Sequence, residues 1–224
     1  MSNRLRIFSV MWETDTAGPS PEGNMRTEIF LKGCNKAMEG NPCPGCFNSD
    51  LWDLKAQRTY TPQEAFFNMR YAPNKYVTIS GGEPTDQIDA LIEFCRLLKE
   101  DGFHIMVYTW RGLQKEILEK TDMSYKLLEL LNYIDILVDG EYVASERIYD
   151  EERGDGFLSS IGSANQIVWD VREYNKTKDR LMGYKAGDIF GLYVKNDGDL
   201  VYVVFDDEVQ PVEIELNREV VCNG

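Results

Sequence analysis

Tyr76-Val77-Thr78-Ile79-Ser80-Gly81-Gly82-Glu83-Pro84 decides how the chain folds. Tyr76 to Ser80 is a short run rich in β-branched residues, and the Gly-Gly pair ends it as a strand would end at a turn. From Thr85 the period changes. Ile88, Leu91, Ile92, Cys95 and Leu98 recur three and four apart, which makes one apolar helix face, and Asp101-Gly102 closes it. Working outward, Phe103 to Tyr108 reads as the next strand. Leu113 to Leu131 reads as helical material broken near Thr121-Asp122, and Ile134 to Val138 as a strand stopping at Asp139-Gly140. Upstream, Arg26 to Lys32 reads as a strand, and Thr59 or Thr61 caps a helix through Arg70 with Pro62 near its first turn. This alternation of strand and helix specifies βαβ units and an α/β fold with a mostly parallel sheet.

Ile167 to Val171 reads as a further strand, and after Lys185 the character changes. Ile189 to Val194 and Leu200 to Phe205 flank Asn196-Asp197-Gly198, a hairpin signal, and Val212 to Leu216 adds a third strand. The expected division is a core over residues 1–180 and a small β-rich C-terminal appendage over 181–224.

In a parallel sheet with helical crossovers, every strand C-terminus lies on one rim, where ligands bind. Four features follow predicted strands directly: Gly81-Gly82, Thr109-Trp110, Asp139-Gly140 and the loop Gly33-Cys34-Asn35-Lys36-Ala37-Met38-Glu39-Gly40-Asn41-Pro42-Cys43-Pro44-Gly45-Cys46. They should converge on one site. A structural zinc site takes four nitrogen or sulfur ligands, and this loop offers three. Three thiolates also suit a cubane with one iron left open. Spacing alone leaves both readings standing. Cys95 sits on the apolar helix face as an inert thiol, Cys222 receives no role, and His104, the only histidine, falls inside a strand as a core or surface residue rather than a ligand. A side chain added at Gly82 is expected to crowd the pocket.

The formal net charge of −14 repels phosphate backbones and anionic lipid, so neither nucleic acid nor membrane is an expected partner. No run of about 20 apolar residues exists to span a bilayer. The N-terminal stretch has no apolar run ending in a cleavage site, so no secretion signal is expected. Five cysteines in 224 residues, three of them clustered, fit metal-binding thiolates in a reducing cytoplasm better than a disulfide scaffold. Asp150 to Gly156 reads as an exposed acidic loop.

Taken together, the motifs resemble the radical S-adenosylmethionine enzymes. They are most similar to the activating protein of anaerobic (class III) ribonucleotide reductase and to other glycyl-radical enzyme activases. The matching stretches are Gly18-Pro19, Arg26 to Cys34, Cys43 to Asn48 with Trp52, Ile79 to Pro84, Val107 to Thr109, Ile134 to Tyr142 and Gly162 to Gln166. The resemblance implies a partial (β/α) barrel with Cys34, Cys43 and Cys46 as ligands of a [4Fe–4S] cluster. It also implies S-adenosylmethionine bound near Gly81, Gly82 and Glu83 at its amino end and near Gly45 and Phe47 at its adenine. Thr109 and Asn165 would serve the ribose or carboxylate side, and Asp139 either a nearby cation or a turn. The implied reaction is reductive cleavage to a 5′-deoxyadenosyl radical that takes hydrogen from a glycine of a partner enzyme. No catalytic side chain is implied beyond the ligands, and the electron donor would be reduced flavodoxin or a ferredoxin type. Two other readings remain: a radical enzyme acting on a small molecule or ribosomal peptide, and a non-catalytic zinc or iron–sulfur module. One departure stands out. Eight residues separate Cys34 from Cys43 where the family places three, with the extra residues near Lys36 to Asn41 expected to form a small outward loop.

Overall fold

The computed structural model describes residues 3–14, 17–21, 25–55, 58–148 and 161–216. The Asp150 to Gly156 segment and Cys222 lie outside them. Four strands form a parallel centre: β2 (Arg26–Leu31), β3 (Tyr76–Gly81), β4 (His104–Thr109) and β5 (Ile136–Asp139). Antiparallel wings extend this centre on both sides. β1 (Ile7–Thr14) pairs with β2, while β6 (Ile167–Asp170), β7 (Arg180–Lys185) and β10 (Val212–Glu215) follow β5, giving eight strands in one sheet. β6 starts on the rim where β5 ends, and so it runs back antiparallel to β5. A second, two-stranded sheet joins β8 (Ile189–Val194) to β9 (Leu200–Val204), the expected hairpin.

The helices form where their ends are specified. α1 (Asn35–Met38) is one turn inside the cysteine loop. α2 (Pro62–Met69) opens with a reciprocal capping box, Thr61 accepting from Glu64 N and Glu64 accepting from Thr61 N. α3 (Ile88–Glu100) buries Leu91, Phe94, Cys95 and Leu98. The predicted break separates α4 (Leu113–Glu119) from α5 (Asp122–Leu131), with Lys120 left-handed and Thr121 capping the second helix. α6 (Val171–Thr177) follows β6.

Side chains alternate across the sheet, and each face has its own core. Ile29, Val77, Ile79, Ile105, Val107 and Leu137 face the helices. Met106, Ile136, Val138 and Val168 face the other way and pack with Ile189, Leu192, Val194 and Leu200 of the hairpin. Tyr202 also donates its hydroxyl to Val168 O at 3.0 Å. The hairpin therefore lies against the second face of the sheet. β10 does not extend it but joins β7 in the main sheet.

The foot of the sheet is closed by Arg26, which is fully buried. Its guanidinium donates to Thr78 Oγ1, Pro19 O and Val77 O. His104 sits beside it at the start of β4, away from the rim, and burial pushes its imidazole down to about 4. Of the core and surface readings of this histidine, the structure shows the core one. Among the described residues no helix is long and apolar enough to cross a membrane.

Leu192 is fully buried between hairpin and sheet. Leu192→Ala is expected to cost ~2–5 kcal/mol in urea unfolding. A loss below ~1 kcal/mol would show that the hairpin is not part of the core.

Candidate functional site

The site is built on a place where two backbones touch. At the end of β3, a Cβ on Gly81 would fall on the backbone of Leu31, and Gly81 holds φ +121°. A Cβ on Gly82 would fall on Gly33 O and 2.7 Å from Leu51 O. Gly82 N donates to Leu31 O at 2.8 Å and Glu83 N to Gly33 O at 2.7 Å. Gly33 N and Cys34 N in turn reach Leu51 O and Trp52 O, at 2.8 and 2.9 Å. The Gly-Gly turn is thus the bed on which the cysteine loop lies. The expectation that a side chain at Gly82 would crowd the pocket is corrected, because its Cβ direction leads into this bed.

Cys34, Cys43 and Cys46 line one cavity on the rim, together with Gly81, Gly82 and Glu83. Cys34 is buried, and burial pushes its thiol up to about 11. Burial also raises the Cys43 thiol. All three are free thiols, as is Cys95, which is sealed inside α3 away from the cavity. Cys-Pro-Gly-Cys rests on the loop after β5, where Ala144 N donates to Pro44 O at 3.2 Å and a Cβ on Gly45 would lie 2.6 Å from Ala144 Cβ.

Glu83 lines the cavity but is 1% exposed. Its carboxylate accepts from Thr85 N and Thr85 Oγ1 at 2.9 and 2.5 Å and from Trp110 N at 2.9 Å. Burial raises its pKa against those bonds. The brace continues outward. Arg111 donates to Thr85 Oγ1 and to Asp86 Oδ1, and Asp86 Oδ2 accepts from Asn35 N, next to Cys34. Gly81 O accepts from the Asn48 side-chain amide at 3.0 Å.

The remaining predicted residues divide. Thr109 lines the cavity, and its hydroxyl accepts from Arg111 N at 3.1 Å. Phe47 lines it and is half exposed, its ring 4.6 Å from Tyr142 and 4.5 Å from the Arg147 guanidinium. Asn165 is not among the lining residues. Its amide donates to Glu141 O at 2.8 Å, and its neighbour Gln166 lines the cavity instead. Asp139 is also off the lining. It is 2% exposed, accepts from Leu113 N at 2.5 Å at the start of α4, and is pushed up by burial to about 6.

Several lining residues carried no assigned role in the sequence reading, among them Glu28, Ser80, Tyr108 and Trp110. Strand parity could have found the first three, since they alternate with residues packed under the helices. Ser80 Oγ donates to Glu28 Oε1 at 2.8 Å, and burial raises the Glu28 carboxyl. The buried indole N–H of Trp110 has no hydrogen-bond partner among the described residues. A buried donor left unmade is costly, and an acceptor on a bound molecule would satisfy it.

The fold and the cavity together define an α/β protein with three thiols gathered at the C-terminal rim of its parallel strands. Residues 21–169 match the model of the 4Fe-4S single cluster domain family, and the chain belongs to that family, within the radical S-adenosylmethionine class that its motifs resemble. Its cofactors are a [4Fe–4S] cluster and S-adenosylmethionine. The chain is similar to the anaerobic ribonucleoside-triphosphate reductase-activating protein of Vibrio cholerae, at 26% identity over 64% of this chain and 86% of the relative. It is also similar to the pyruvate formate-lyase-activating enzymes of Clostridium pasteurianum and Listeria monocytogenes. The first is 31% identical over 65% of this chain, the second 30% identical over 78%. The chain spans 60% and 65% of the lengths of those two relatives. Among solved structures, QueE from Escherichia coli overlaps 49% of this chain and 57% of its own at a TM-score of 0.37 with 17% identity, too loose a match to argue from.

Asp139 yields a prediction with a definite sign. Its folded pKa, about 6, lies above the ordinary 3.8, so folding is favoured while the group is protonated. Wild-type protein should lose up to ~3 kcal/mol between about pH 3.8 and pH 6 relative to Asp139→Asn, whose amide oxygen keeps the helix cap. Identical urea-stability profiles for the two proteins would rule this out.

Proposed function

We propose that the protein is an activating enzyme that installs a radical on a glycyl-radical partner enzyme. The observation that carries this reading is the meeting of the three thiols with the Gly-Gly-Glu-Pro turn in one cavity. In this reading Cys34, Cys43 and Cys46 hold the [4Fe–4S] cluster, and the turn at Gly81 to Glu83 lies beside the amino end of S-adenosylmethionine. The rings of Phe47 and Tyr142, tilted 44° to each other, border the cavity where adenine would lie, while Gly45, expected there, is not among the lining residues. Thr109 and Gln166, rather than Asn165, serve the remaining polar atoms, and the unpaired Trp110 N–H awaits an acceptor.

A structural zinc site takes four nitrogen or sulfur ligands, and the cavity presents three thiols. A cubane takes one thiolate per iron, and three thiols spread around a cavity answer that demand. When bound, the cluster and S-adenosylmethionine supply reductive cleavage of the sulfonium and, through it, hydrogen-atom abstraction.

The chain's own residues hold and orient. Glu83 fixes the turn to the end of β4 through Trp110 N and to Thr85, and Asp86 fixes the backbone after Cys34. The hairpin covers the second face of the sheet, which leaves the rim as the approach for a glycine-bearing loop. The names of the relatives support a protein substrate. Reduced flavodoxin or a ferredoxin-type protein completes the scheme as electron donor.

Anaerobic reconstitution tests the proposal. Dithionite-treated protein with S-adenosylmethionine should release 5′-deoxyadenosine, and addition of the anaerobic reductase should give a glycyl-radical signal in electron paramagnetic resonance. Cys34→Ala, Cys43→Ala and Cys46→Ala should each lose the cluster, while Cys95→Ala keeps it. Full iron content in any of the first three would refute the ligand assignment. Productive turnover of a metabolite with no protein partner would favour the small-molecule reading.

A further inference from the structure

The insertion between the first two cysteines is not an outward loop along its whole length. Asn41 N donates to Lys36 O at 3.1 Å, and the Lys36 ammonium donates back to Asn41 O at 2.6 Å. The two ends of the excursion are therefore joined to each other twice. Counting across that junction, only Asn35, Lys36, Asn41 and Pro42 lie between Cys34 and Cys43, close to a three-residue spacing. Residues 37–40 become a side branch, and Glu39, Gly40 and the 44%-exposed Met38 face solvent.

Lys36 is placed to hold this junction. Lysine seldom buries its ammonium without partners, yet Lys36 is only 7% exposed. Its ammonium lies 3.3 Å from Glu141 Oε1, on the loop after β5, and 5.5 Å from the centre of the Trp110 ring, at the end of β4. It therefore ties the closed branch to two strand exits that border the cavity.

We propose that Lys36 is a positioning residue: by closing residues 36–41 on themselves and clamping them to Glu141, it gives Cys34 and Cys43 the separation that a shorter loop would impose. The inference rests on the reading of these cysteines as cluster ligands. It predicts that the clamp matters only because the branch exists.

Four full-length proteins decide it after anaerobic reconstitution: wild type, Lys36→Met, Lys36→Arg, and Lys36→Met combined with deletion of residues 37–40. The readouts are iron and sulfide per chain, resistance of the cluster to a chelator, and the electron paramagnetic resonance spectrum of the reduced cluster. Circular dichroism and urea unfolding follow the fold. Lys36→Met is expected to hold its cluster about 10- to 100-fold less firmly, as when a supporting group around a metal site is removed, with an altered spectrum. Lys36→Arg, which still donates to Asn41 O, should restore most of the loss. The deletion should restore it without any cation, because the branch is gone. Wild-type retention and spectrum in Lys36→Met would overturn the proposal, as would a deletion variant no better than Lys36→Met. Wild-type protein that takes up no iron and sulfide would instead overturn the cluster reading beneath it.

Discussion

The site depends on a close approach of two backbones that tolerates no side chain. Gly81 and Gly82 end β3 against Leu31, Gly33 and Leu51, and the amides of Gly82 and Glu83 lock the base of the cysteine loop to the central sheet. A hydrogen bond of this kind contributes only ~1 kcal/mol net. Its importance here is positional. Once Gly33 is fixed, Cys34 is fixed. Glu83 then has only to reach Thr85 and Trp110 for the turn, the start of the cysteine loop and the end of β4 to become one rigid frame. The cost is a carboxylate taken out of water, which its bonds to backbone and hydroxyl donors offset.

Much of this was legible in the sequence, for identifiable reasons. The period change at Thr85, the break at Thr121 and the hairpin at Asn196 to Gly198 are local signals, and each element formed where its signal lies. The convergence of four strand ends on one rim follows from parallel connectivity alone. Longer-range outcomes were hidden. Nothing local to Val212 to Glu215 says that β10 pairs with β7 rather than with the hairpin. Nothing local to Gly82 says that its missing Cβ points at another backbone. Asn165 and Gln166 are adjacent amides, and only the turn after Ser163 decides which faces the cavity. The insertion does turn outward at residues 38–40, as its length suggested, but nothing local says that its ends are joined through Lys36 and Asn41.

The acidic balance of the chain also finds a place. Net charge far from zero keeps a protein soluble and discourages contact with polyanions. The cavity itself is lined mostly by glycines, aromatics and thiols, with Glu28 and Glu83 the carboxylates at its wall. Burial raises the pKa of both. A site that must receive a sulfonium and exclude water is well served by such a wall, since low local polarity strengthens each contact inside it.

The central claim is that three thiols hold a cluster whose remaining iron is open to S-adenosylmethionine. Mössbauer spectroscopy of the protein reconstituted with iron-57, before and after S-adenosylmethionine is added, tests it most directly. The account predicts that a single iron site changes its parameters while the others keep theirs. Four unchanged sites, or protein that holds zinc and no cluster, would contradict it.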